Sequence, residues 1–102
     1  MPLITYSPAA YTAYADHIEF SEPSVRPVLA RYSARLRDYF RDVADRLAVA
    51  FLDLTPHLQG EIVAQGSAQA ARLLYFPDTV HYSAEGHRTV AETVARFVEA
   101  LP

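Results

Sequence analysis

The run Val49-Ala50-Phe51-Leu52-Asp53-Leu54 restricts the folds open to this chain more than any other feature. It is almost continuously apolar, without the polar alternation of a half-exposed strand, which is the pattern of a strand covered on both faces in a parallel sheet. Thr55-Pro56 follows at once. Threonine offers a capping oxygen and proline, which has no N–H to lose, suits the first turn, so a helix is expected to open directly from the strand.

The rest of the chain fits the same alternation. Leu3-Ile4-Thr5-Tyr6 is a short β-prone run ended by Ser7-Pro8 and reads as a first strand entering a loop. Residues 9 to 20 are rich in Ala and Tyr with weak periodicity, compatible with a short helix or an irregular excursion. Ser24 then offers an N-cap and Pro27 falls in the first turn of a long helix. Val28, Leu29, Tyr32, Leu36, Tyr39, Phe40, Val43 and Leu47 recur along it at steps of three and four, and are expected to form its buried face. Arg31, Arg35, Asp38, Asp42, Asp45 and Arg46 make the opposite, solvated face.

After the second strand, Gly60 and Gly66 weaken the next helix, which is expected to break near Gly66 and resume over Ser67 to Arg72. Leu73-Leu74-Tyr75-Phe76 reads as a last extended piece halted by Pro77. Ser83 caps a final helix with Val90, Val94, Phe97, Val98 and Leu101 as its apolar stripe. Strand, helix, strand, helix, extended segment, helix is the order of an α/β domain.

With 102 residues, 51% of them hydrophobic, the chain supports one soluble globular unit, a single α/β domain over 1–102. A net charge of −3 without a basic cluster argues against nucleic acid as a partner and against an acidic membrane surface. The chain has no cysteine, so neither a disulfide framework nor a thiolate metal site can form. No stretch reaches the roughly 20 apolar residues of a membrane span, and no signal peptide is recognisable, which leaves localisation open. Two or three strands make a narrow sheet whose edges stay uncovered, so the chain is expected either to pair with a copy of itself, as a homodimer, or to be part of a larger domain.

The chemistry-bearing residues concentrate in Phe76-Pro77-Asp78-Thr79-Val80-His81-Tyr82-Ser83-Ala84-Glu85-Gly86-His87, a loop leading into the last helix. A carboxylate three residues before a histidine can reach back to the imidazole Nδ1–H. There it fixes the tautomer and stabilises the imidazolium formed when Nε2 takes a proton. Asp78 is thus a plausible orienting acid and His81 a plausible general base.

The stretch from Asp78 to Ala91, D-T-V-H-Y-S-A-E-G-H-R-T-V-A, resembles the last conserved block of the SGNH (GDSL-type) hydrolases, in which Asp-x-x-His precedes a capped helix opening on Gly-His. The upstream order of elements, with its Phe-Leu-Asp-Leu strand and Thr-Pro helix start, is similar to the second half of that fold, notably in members related to polysaccharide O-acetyltransferases. The resemblance implies an αβα three-layer sandwich with a short parallel sheet, flavodoxin-like, of which this chain would be the C-terminal part. It further implies a Ser–His–Asp triad with Asp78 as acid and His81 as base, and an ester or acylated carbohydrate as substrate, with no cofactor. The nucleophile block of the family is not visible, and with no Asn anywhere in the sequence its oxyanion-hole asparagine cannot come from this chain. Losing one such donor typically costs on the order of 10²–10³ in rate.

Two serines of this chain are candidates for the nucleophile, Ser7 and Ser83. Ser7 sits at the strand end where His81 should also lie, although a Ser-Pro commonly does no more than end a strand. Ser83 is expected to be a helix cap with its hydroxyl engaged by backbone N–H groups. Asp78, His81 and His87, joined by His57 or His17, could in principle ligate a metal, but no helical H-x-x-x-H pair supports it and no metal is expected. His87 is expected to pack or hydrogen-bond near the loop, Asp53 to fix the loop after its strand rather than act as a helix-entry acid, and Tyr6, Tyr11, Tyr14, Tyr75 and Tyr82 to pack or to line a site. The alternative to an enzyme segment is a non-catalytic α/β module for self-association or partner binding.

Overall fold

A computed structural model of the chain describes residues 2–9, 13, 20–65 and 81–102. Within them lie strand β1 (Leu3–Tyr6), helix α1 (Val25–Leu47), strand β2 (Ala50–Asp53), helix α2 (Thr55–Gln65) and helix α3 (Ala84–Ala100). This is a small α/β fold, with a two-stranded parallel sheet among the described residues. The two strands are those expected, with β2 trimmed by one residue at each end. The expected break near Gly66, the resumed helix to Arg72, the extended piece Leu73–Phe76 and most of residues 9 to 20 fall outside the described residues.

The strand register pairs Leu3 with Ala50, Ile4 with Phe51, Thr5 with Leu52 and Tyr6 with Asp53. Because side chains alternate across a strand, Ile4, Tyr6, Phe51 and Asp53 share one face of the sheet, and Leu3, Thr5, Ala50 and Leu52 the other. Helix α1 covers the first face. The Tyr6 hydroxyl donates to the Ser33 carbonyl at 3.3 Å, the Arg41 guanidinium lies 5.4 Å from the centroid of the Phe51 ring, and Arg37 Nε approaches Asp53 Oδ2 to 3.8 Å. Helices α2 and α3 cover the second face. Leu52 clusters with Leu54, Leu58 and Ile62, and Leu3, Val90, Val94 and Phe97 pack against this group. The sheet therefore has helices on both sides, and the apolar continuity of β2 is explained.

Helix α3 follows its sequence signals. Ser83 is extended at the N-cap and its Oγ accepts from the Gly86 N–H at 3.1 Å, while Val98 at the outer end of the stripe stays 41% exposed. Buried Thr93 satisfies its hydroxyl by donating to the Thr89 carbonyl one turn back, at 2.8 Å.

Three expectations are corrected. Ser24 precedes α1 but makes no side-chain capping bond. The Val25 and Arg26 N–H groups instead donate to the Glu22 and Pro23 carbonyls, so a backbone turn already satisfies them. Thr55 is not the N-cap of α2: Leu54 holds that place, its carbonyl accepting from the Leu58 N–H at 3.0 Å, and the Thr55 N–H donates to Asp53 Oδ1 at 2.9 Å. The carboxylate at the strand end does the capping and ties the β2–α2 turn.

The third correction concerns the buried face of α1. The residues buried on this helix are Ser33 and Ala44, whereas Val28 (53%), Tyr32 (59%), Tyr39 (58%) and Leu47 (63%) are exposed. Close approach to the Tyr6 side of the sheet selects small side chains at the contact. The helix is therefore turned about a quarter revolution from the orientation that would bury its large apolar stripe.

Candidate functional site

In a parallel α/β sheet the carboxyl ends of the strands are where loops converge and binding sites form. At that end of β1 the chain passes from Tyr6 into Ser7-Pro8-Ala9. The backbone there is fixed by the Leu54 N–H, which donates to the Tyr6 carbonyl at 3.0 Å, and by the Tyr6 hydroxyl bond to α1. A cleft of about 240 Å³ opens beside this turn, lined by Tyr6, Ser7, Pro8, Tyr32, Leu36 and Tyr82 among others. Ser7, exposed just past the strand, and Tyr82, the residue after His81, thus border one space.

His81 is exposed and lies two residues before the cap of α3. The Ser83 cap, the first helical bond from the His87 N–H to the Ser83 carbonyl at 2.9 Å, and the edge-on contact of the Tyr82 and His87 rings at 5.7 Å hold the stretch that follows it. His87 therefore packs beside the loop, as expected. Glu85 in the first turn complements the positive end of the helix and bonds to Arg88, whose guanidinium it holds above its ordinary pKa. Asp78 lies outside the described residues, as do His17, Tyr11, Tyr14 and Tyr75. Among the described residues no group of three or more His, Asp or Glu side chains is arranged to hold a metal ion, and His57 is exposed on α2.

A second cleft, of about 260 Å³, shares Tyr6 and Ser33 with the first and extends to Arg37, Thr55 and Gln59. Arg37 Nε is buried between two carboxylates, 3.8 Å from Asp53 Oδ2 and 3.7 Å from Asp38 Oδ1. Asp53 therefore serves both as the acid at the helix entry, accepting from the Thr55 N–H, and as a partner of Arg37, where the loop-fixing role alone is the one its position favours. Thr55 is buried, and its Oγ1 finds no hydrogen-bond partner among the described residues.

Tyr32 and Leu36 were expected in the core and instead wall the first cleft. Their helical spacing carries no signal that separates the two roles. Tyr6 stood out in the sequence only as one tyrosine of several, and its part as the post between two clefts depends on Ser33, 27 residues away.

Comparison with protein-family models, with curated proteins and with solved structures gives no match. No described helix is long and apolar enough to cross a membrane.

Proposed function

We propose that this chain supplies the general base, His81, and its orienting acid, Asp78, to a Ser–His–Asp ester hydrolase or acyltransferase of the SGNH type. The substrate would be an ester or an acylated carbohydrate. The observation that carries this reading is the Asp78-x-x-His81 spacing leading directly into the helix capped by Ser83, with Tyr82, next to His81, bordering the cleft at the carboxyl end of β1. In the reaction, His81 Nε2 takes the proton of a serine hydroxyl as the serine oxygen attacks the acyl carbon. The protonated imidazole, steadied by Asp78 at Nδ1, then delivers that proton to the leaving alcohol. Water or an acceptor hydroxyl releases the acyl group by the same steps in reverse. The serine and the oxyanion donors come from outside this chain.

Hydrolysis of p-nitrophenyl acetate by the complete gene product tests the assignment. His81→Ala and Asp78→Asn should each lower kcat by about 10³-fold or more, and an unchanged rate in His81→Ala overturns it. Treating the 102-residue chain with a fluorophosphonate should leave Ser7 unlabelled, and a covalent adduct on Ser7 would transfer the nucleophile to this chain. A second reading, a non-catalytic self-associating module, is favoured by the exposed apolar face of α1, and the same His81→Ala measurement separates the two.

A further inference from the structure

Helix α1 leaves Val25, Val28, Tyr32, Leu36, Tyr39, Phe40 and Leu47 in solvent. These side chains form one stripe with an apolar area on the order of 600 Å², at the upper end of what a lone soluble chain exposes. Its seam is regular: Val25, Leu29, Tyr32, Leu36, Tyr39 and Val43 follow one another at steps of four, three, four, three and four. That is the a/d spacing of two and a half heptads, the pattern by which one helix packs lengthwise on another.

The charges along the helix select the partner and its direction. From Val25 to Arg37 the helix carries arginines and no acid, whereas Asp38, Asp42 and Asp45 all lie in its second half, together with Arg46 and with Arg41, which is turned over the Phe51 ring. If two copies of α1 cross antiparallel between Leu36 and Arg37, Arg31 and Arg35 of each copy come opposite Asp42 and Asp38 of the other. A parallel pair sets arginine against arginine and aspartate against aspartate. Covering the stripe on both copies removes on the order of 1,200 Å² from water, which reaches the range of specific interfaces.

We infer that the exposed face of α1 is a self-association surface on which a second copy of this chain packs antiparallel. Because Tyr32 and Leu36 also line the cleft beside Ser7, the second copy forms its outer wall. The inference does not depend on catalysis by His81.

Sedimentation equilibrium of the 102-residue chain between about 1 and 200 µM tests it. The wild type should sediment as a dimer. R31E/R35E and D38R/D42R should each dimerise at least tenfold more weakly, because each variant places like charges across the seam. An equimolar mixture of the two variants should recover a dimer of wild-type strength as a heterodimer, which also shows that both variants are folded. A wild type that is monomeric at 200 µM overturns the proposal. So do charge variants that dimerise like the wild type, a mixture that fails to pair, or a complete gene product that is monomeric because another part of the same polypeptide covers α1.

Discussion

Thr55 illustrates how little a residue's type says about its energetic role. Its position after a strand and before a proline marks a helix start, yet the capping bond is made by Asp53 through the Thr55 N–H. The Thr55 hydroxyl is left buried and without a partner among the described residues. A buried unsatisfied hydroxyl costs about 1–3 kcal/mol, and replacing it with a methyl of the same shape removes that cost. Thr55→Val should therefore leave stability unchanged or raise it by about 1 kcal/mol in urea denaturation. A loss of more than about 1 kcal/mol would show that the hydroxyl is bonded in solution.

At the scale of elements, α1 was legible in its length and periodicity but not in its ends or its rotation. Its C-terminus closes in a left-handed turn at Ala48, with φ 53° and ψ 42°. The Ala48 N–H donates to Asp45 at 3.2 Å and the Val49 N–H to Ala44 at 3.0 Å. This double bond pattern normally falls to glycine, since an L side chain in that conformation costs about 1 kcal/mol or more. Ala48→Gly should raise stability by about 1 kcal/mol at fixed protein concentration, and a neutral or destabilising result would place Ala48 in another conformation. By contrast α3 was readable in full from Ser83 to Phe97, because its cap and its stripe are local and the surface it meets, Leu58 and Ile62, accepts large side chains.

For the whole molecule, fold class rests on the two described strands and on what covers them. The described core is small: Leu54, Leu58 and Ile62 are its fully buried large side chains. The large apolar side chains of α1 contribute little to it. If those side chains are buried between two copies, unfolding couples to dissociation and the midpoint depends on concentration. A hundredfold increase in protein should then raise Tm by roughly 5 °C or more. Calorimetric midpoints that coincide across that range would show that each chain unfolds alone.

The sequence by itself determined the strands Leu3–Tyr6 and Ala50–Asp53, the three described helices and the α/β class. It also determined the Ser83 cap, because each of these rests on periodicity or on a hydrogen bond within a few residues. It made Asp78 and His81 the residues of chemical interest as well, through type and spacing. Only the tertiary structure decided which face of α1 meets the sheet. Amphipathicity tells a helix that it has an apolar side, but the Tyr6–Ser33 bond and the narrow space above β1 and β2 required the small side chains of Ser33 and Ala44 there. That rotation put Tyr32 and Leu36 beside Ser7 in the cleft and left the rest of the stripe facing solvent.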